Sequence, residues 1–284
     1  MAPVRVCLLL AAGLALAACE TEFEPFEQSD LTFSLFGVLD AAADTQFVRV
    51  ADLRRPARVG EPLDATVTLE HLGTGARTVL RDSVFVLAGG GVVHNVWTPE
   101  RVAADAPYRI TASRPGGTAA TAELRTPPTF PDPELDSGIT LSTSVANPPR
   151  LQQVFFPGVE AFADLRIRYR LTSGTVVVSY LDRAVPMDGG GFRIAFNAYE
   201  DAQRALTGRP GEGCPSLRSA EVVVAATTAA WPDVLELDPE AAALPGTITN
   251  VEGGVGFVGG VERRRGPWPA MAAVFGFHEA GCAP

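Results

Sequence analysis

The sequence predicts a mainly β protein. An N-terminal β-sandwich of immunoglobulin-like or transthyretin-like type covers residues 31–128, and a β-rich second domain with one or two short helices covers 139–284. Three observations carry this reading. Short apolar runs with period-2 alternation recur between turn signals spaced about 8–12 residues apart. Helical spacing with both a start and a stop signal is confined to Asn197–Gly208. A proline-rich run from Thr126 to Pro133 makes a stiff linker, placed at 129–138, between the two halves.

The elements follow in order. Residues 1–18 read as a secretory signal: Arg5 supplies the positive start, Val6–Ala18 the apolar run, and small residues precede the cut. The run is too short to span a bilayer, which takes roughly 20 apolar residues. Leu16-Ala17-Ala18-Cys19 resembles the lipobox of bacterial lipoproteins. That resemblance implies cleavage before Cys19 and acylation of its thiol; the alternative is an ordinary signal peptide cut after Ala18. Two or three acyl chains hold a protein firmly, whereas one is marginal. Residues 19–30 are acidic, lack periodicity and contain Pro25, as a solvated tether does. Acidic residues directly after the cysteine resemble the surface-export signal of Bacteroidetes-type lipoproteins, with a plain hydrophilic spacer as the alternative.

Strands of the first domain are expected at Leu31–Leu39, Thr45–Leu53, Asp64–Leu69, Ala76–Leu80, Ser83–Leu87, Val92–Trp97, Tyr108–Ala112 and Thr118–Leu124. Strands of the second are expected at Val154–Phe156, Leu165–Leu171, Thr175–Leu181, Phe192–Phe196 and Ala220–Thr228. In Leu165–Leu171 the alternation sends Leu165, Ile167, Tyr169 and Leu171 inward and Arg166, Arg168 and Arg170 outward. The arginine row reads as the wet face of a sheet; binding an anion or polysaccharide is the sharper alternative. Asn197 and Glu200 have capping-box spacing, and Gly208 can end that helix. Asp238-Pro239-Glu240 reads as a second helix start.

Composition sets further bounds. Hydrophobic residues make up 46% of the chain, enough for real cores. The formal charge is −10, and every basic side chain other than histidine is arginine. Such a chain is a poor partner for nucleic acid or anionic lipid surfaces. Cys7 leaves with the signal and Cys19 takes the lipid. An even remainder in an exported chain points to a disulfide between Cys214 and Cys282, worth about 4 kcal/mol in the chain-entropy model; two reduced cysteines are the alternative.

The stretch Thr249–Gly260 is the most distinctive. Gly254, Gly256 and Gly259 match G-x-G-x-x-G, but no helix can follow through Arg263-Arg264-Arg265-Gly266-Pro267, so a dinucleotide site is not expected. A tight turn and close backbone packing explain the glycines better. Asn250–Gly260 also resembles the N-(I/V)-x-x-G-(L/V)-G-x-F-G signature of an uncharacterised Bacteroidetes-type outer-membrane lipoprotein family. Phe257 is displaced here, and Val258 stands where the family's phenylalanine does. Gly37-Val38-Leu39 with Val48-Arg49-Val50, Asp64–Leu69 and Tyr108–Ala112 match further family patterns. The resemblance implies an outer-membrane lipoprotein, often encoded beside TonB-dependent transporters, and brings no catalytic residues.

Nothing in the sequence specifies a reaction. His71, His94 and His278 are far apart and lack metal-ligand spacing. Asp132, Glu134 and Asp136 alternate like the start of a calcium loop, but no closing glutamate follows. Trp97, Trp231 and Trp268 are candidates for a glycan platform or, more simply, packing residues. The expectation is therefore a non-catalytic, lipid-anchored outer-membrane protein, surface-exposed or on the periplasmic face. It would hold no cofactor or metal, bind an unknown small molecule or glycan, and partner a TonB-dependent transporter. A structural or adhesive role and a hydrolase with a site at the domain junction are the alternatives.

Overall fold

A computed structural model describes residues 30–135, 152–197, 200–201, 204, 217–232 and 247–267. The chain is mainly β, as expected. Its first strands are β1 (Phe33–Asp40), β2 (Gln46–Asp52), β3 (Thr66–His71), β4 (Ala76–Val79), β5 (Val84–Val86), β6 (Val92–Thr98), β7 (Pro107–Ser113) and β8 (Ala120–Arg125). Then come β9 (Glu134–Leu135), β10 (Gln152–Phe156), β11 (Ala161–Leu171), β12 (Gly174–Ser179), a 3-10 turn at Leu181–Arg183, β13 (Val185–Pro186) and β14 (Phe192–Phe196). The series ends with β15 (Leu217–Thr227), β16 (Val251–Glu252) and β17 (Gly254–Pro267).

These strands form three sheets. An eight-stranded sheet runs β12-β11-β15-β17-β1-β2-β6-β5, a five-stranded one β16-β8-β7-β3-β4, and a four-stranded one β13-β14-β10-β9. Two separate cores lie on the eight-stranded sheet. One packs Phe33, Leu35, Val48, Val50 and Val96 with Val67, Tyr108, Ile110 and Ala122. The other packs Leu165, Ile167, Tyr169, Val222 and Val224 with Val154, Phe156, Ile194 and Phe196. Alternation decides the inward set: in β11, Leu165, Ile167, Tyr169 and Leu171 are buried, as the sequence predicts, while Arg170 is exposed.

The proline-rich segment does not separate the two cores in sequence. Val251 and Val258, expected in the second domain, are buried in the first core. The reason is β17. From Gly254 to Val261 it runs parallel to β1, Phe33 opposite Gly254 and Asp40 opposite Val261. From Val261 to Pro267 it runs antiparallel to β15. One 14-residue strand therefore belongs to both halves.

The glycines of this stretch have the close-packing role expected of them, but within a strand. Gly253, at φ +70°, makes the turn from β16 into β17. Gly256 sits at φ +115°, and a Cβ there would collide with the Leu35 carbonyl oxygen. At Gly260 a Cβ would lie 2.5 Å from the Arg125 carbonyl oxygen and 2.7 Å from Thr126 Cα. Asn250 closes the turn with its side chain. Its Oδ1 accepts the Val258 N–H (2.9 Å), and its Nδ2 donates to the Val258 carbonyl (2.8 Å) and the Glu123 carbonyl (3.3 Å).

Where β17 changes partners, side chains replace the missing backbone partners. Asp40 Oδ1 accepts the N–H groups of Arg263 (3.1 Å) and Ala42 (3.0 Å). Buried Gln46 accepts the Asp40 N–H (2.8 Å) and donates to the Asp40 and Ala43 carbonyls, both at 3.1 Å. Thr227 donates its hydroxyl to the Gly260 carbonyl (2.7 Å).

Two outcomes follow from β17. A fragment of residues 31–128 lacks β16 and β17 and is expected to show no cooperative thermal transition by circular dichroism, whereas residues 19–284 unfold cooperatively. Gly256→Ala is expected to cost roughly 2–4 kcal/mol in urea denaturation, because strain and collision add. At Gly266 a Cβ would meet nothing within 4 Å, so Gly266→Ala should stay within about 0.5 kcal/mol of the parent.

Candidate functional site: an aromatic sheet face

The eight-stranded sheet has an outer face as well as a core face. In β2, Gln46, Val48 and Val50 point inward and are buried, so Phe47 and Arg49 point out. In β1 the outward set includes Phe36 and Val38; in β6 it is Val93, Asn95 and Trp97. The register aligns these across strands. Phe257, Phe36, Arg49 and Asn95 form one row. Val38, Phe47 and Trp97 form the next, and Phe85 lies opposite Val93.

The rings are uncovered. Phe36 is 50%, Phe47 46% and Phe85 47% exposed, so this face is not a second core. Trp231 stands edge-on to Phe257 at 5.2 Å between centroids. The Arg81 guanidinium lies 5.1 Å over the Trp97 ring. Arg49 has no ion-pair partner among the described residues. On a chain of formal charge −10, this face thus carries cationic groups among aromatic rings.

Beside Trp231 opens a cleft of about 450 Å³, lined by Phe162, Phe192, Glu160 and Asp182 among others. Glu160 uses its carboxylate to accept the Ala229 N–H (3.2 Å). Neither histidine nor cysteine lines this cleft among the described residues.

Two polar clusters lie elsewhere. His94 Nδ1 is 3.0 Å from Asp82 Oδ1, and Asp82 Oδ2 accepts the Leu63 N–H (2.8 Å). This is the orienting half of a Ser–His–Asp arrangement. The hollow it borders is only about 90 Å³ and has no serine, threonine or cysteine among its described lining. The pair pins the 53–64 loop to β6. In the second core, the hydroxyls of Tyr169 and Tyr180 donate to Asp201 Oδ2 at 2.6 and 2.7 Å. Asp201 Oδ1 is buried without a hydrogen-bond partner among the described residues. Burial pushes the Asp201 carboxyl up from its ordinary value; the two tyrosine hydrogen bonds and then Arg183 and Arg204 oppose that rise. Burial likewise raises both tyrosines, and the Asp201 charge adds to it. Asn197 places Asp201 there: Asn197 Oδ1 accepts the Glu200 N–H (3.2 Å), and its carbonyl accepts the Asp201 N–H (3.1 Å).

The sequence-derived candidates separate as follows. Trp97 and Trp231 both contribute to the aromatic face. Arg166 pairs with Asp164 (3.1 Å) and Arg168 with Glu221 (3.3 Å), as a wet sheet face would. Asp132 pairs with Arg264 (2.9 Å), and Glu134 lies in β9. His71 packs on Tyr108 at 4.9 Å. Cys19, Cys214, Cys282, Trp268, His278, Asp136 and the expected helix at Asp238 lie outside the described residues. Sequence reasoning missed Phe36, Phe47, Phe85 and Phe257. A signal was present, since Phe33, Leu35 and Phe36 put large apolar groups on both faces of one short strand.

No family model matches this chain, and no curated protein matches it. Among solved structures, the pullulanase of Anoxybacillus sp. LM18-11 aligns at a TM-score of 0.24 and 9% identity, covering 69% of this chain and 24% of that one. Its complex with maltotriose aligns at 0.23, again at 9% identity and with the same coverage. Bovine butyrophilin aligns at 0.18 and 10% identity, over 67% of this chain and 87% of its own. The chain thus spans about a quarter of the pullulanase.

The raised Asp201 carboxyl makes stability depend on pH. Its folded value lies above its unfolded one, so the contribution is fully present below the unfolded value. It is lost as pH rises through the folded value. Urea denaturation from about pH 4 to about pH 7 should show this decline in the parent. Asp201→Asn, which cannot ionise, should flatten it.

Proposed function

We propose that this chain is a lipid-anchored outer-membrane protein of the Bacteroidetes-type family that its sequence resembles. In this reading it acts without catalysis, as a binding or assembly accessory of a TonB-dependent transporter. The observation that carries the proposal is the aromatic face: Phe36, Phe47 and Phe85, each about half exposed, with Arg49 and Arg81 among them. Rigid aromatic rings and arginines dominate the energetics of protein interfaces, because they bury large area for little lost side-chain freedom. Leu16-Ala17-Ala18-Cys19 supplies the anchor in this reading, and the lipid keeps the face within reach of an integral partner.

The test is crosslinking of tagged full-length protein in its own host, followed by identification of what co-purifies from the outer membrane. A TonB-dependent transporter should dominate, and Phe36→Glu with Phe47→Glu should abolish its capture. Those changes should cost no more than about 1.5 kcal/mol per site, since each ring is already about half exposed. Cys19→Ser should release the protein from the membrane fraction. Protein that protease removes from the cell surface, but that captures no transporter, would overturn the accessory role in favour of a structural or adhesive one.

A further inference from the structure

Among the described residues the three sheets present six edge strands, and five of them are defended. β5 has 3 residues; β9 and β16 have 2 each; β13 has 2 and ends in Pro186; β4 has 4 and carries Arg77. Shortness, proline and charge are the usual protections against edge pairing. β12 has none of them. It is 6 residues long, reads Gly-Thr-Val-Val-Val-Ser, and pairs with β11 in unbroken register.

The register also shows which backbone groups are open. The Tyr180 N–H donates to the Leu165 carbonyl (2.8 Å). Hydrogen-bonded pairs alternate along an antiparallel ladder. Val178 and Val176 therefore spend their backbone groups on β11, while Thr175, Val177 and Ser179 turn theirs outward. A groove of about 610 Å³ runs along this edge, lined by Val176–Ser179, Leu181, Asp182, Arg183 and Arg204.

Charge specifies the occupant further. Each open residue of β12 stands opposite an arginine of β11: Thr175 with Arg170, Val177 with Arg168 and Ser179 with Arg166. Arg170 is exposed and has no ion-pair partner among the described residues. A strand added to β12 would set its outward side chains next to Thr175, Val177 and Ser179, on the face of the arginines and within reach of a long side chain across β12, at roughly 10 Å between backbones.

We infer that β12 is a docking edge for an extended partner segment of alternating acidic and apolar residues, which adds as a ninth strand to the sheet. Main-chain hydrogen bonds to Thr175, Val177 and Ser179 supply attachment; Arg166 and Arg168 already pair with Asp164 and Glu221, so Arg170 is the arginine that selects an acidic side chain. This site is separate from the aromatic face and does not rest on the transporter reading.

The test uses a fluorescent acetyl-Glu-Val-Glu-Val-Glu-Val-Glu-amide peptide and its counterpart with lysine in place of glutamate, titrated with the full mature chain. The acidic peptide should bind saturably, with the lysine peptide at least roughly tenfold weaker. Val177→Pro removes an outward N–H without touching the β11 ladder and should abolish binding. Arg170→Glu should weaken the acidic peptide and strengthen the lysine one, and this variant carries the test if Val177→Pro fails to fold. Equal binding of the two peptides, or unchanged binding by folded Val177→Pro, would overturn the inference. So would a sedimenting dimer that Val177→Pro dissolves while neither peptide binds, since the edge would then serve a second copy of this chain.

Discussion

The pairing of β1 with β17 is the contact on which the rest of the structure depends. It joins strands near opposite ends of the chain, and it is parallel, so a hairpin cannot make it. The crossover is instead most of the protein. Closing a loop of roughly 200 residues costs only about 3 kcal/mol more than closing one of about ten, because closure entropy grows with the logarithm of length. Burial of Val251 and Val258 offsets much of this, at roughly 1.5–3 kcal/mol for each fully buried aliphatic side chain. The first sandwich is therefore complete only when a segment from the far end of the chain has returned to it.

A strand that changes partners midway leaves backbone groups without a ladder at the crossing. Buried backbone polar groups must be satisfied, and here polar side chains satisfy them. Asp40 stands in for a neighbouring strand at the Arg263 N–H, and Asn250 binds both backbone groups of Val258; at the adjoining β1–β2 turn Gln46 does the same for Asp40. These hydrogen bonds account for the burial of Asp40 and Gln46 within the sheet. The glycines answer the complementary problem. Where β17 passes over Arg125 and beside Leu35, no room remains for a side chain.

The two ends of the eight-stranded sheet offer different surfaces. Over the first sandwich the outer face is aromatic with isolated arginines. Over the second, arginines alternate along β11 beside an undefended edge. Aromatic faces gain by excluding water from large rigid rings, whereas edges gain by completing hydrogen bonds. On the two readings proposed above, one continuous sheet holds two kinds of contact, joined through β17. The polar clusters hold the fold together. His94 with Asp82 holds a loop, and Asp201 with its two tyrosines fastens the start of a helix to the sheet.

Local pattern in the sequence sufficed for the β class, thirteen of the seventeen described strands, the inward side of β11 and the cap at Asn197. Each depends on neighbours within a few residues: side-chain alternation, glycine and proline at turns, and an asparagine three residues before a free N–H. Only the tertiary structure decided that Gly254–Pro267 is one strand shared by two sandwiches, because parallel pairing leaves no local turn signal. It also decided that Phe36 and Phe47 face solvent. In a strand with apolar residues on both sides, alternation shows that two faces exist but not which one another layer will cover. It placed His94 against Asp82 and Tyr169 and Tyr180 against Asp201, contacts that spacing along the chain does not encode. Strand identity is a local property of the backbone, whereas partner and exposed face depend on which distant segments pack together.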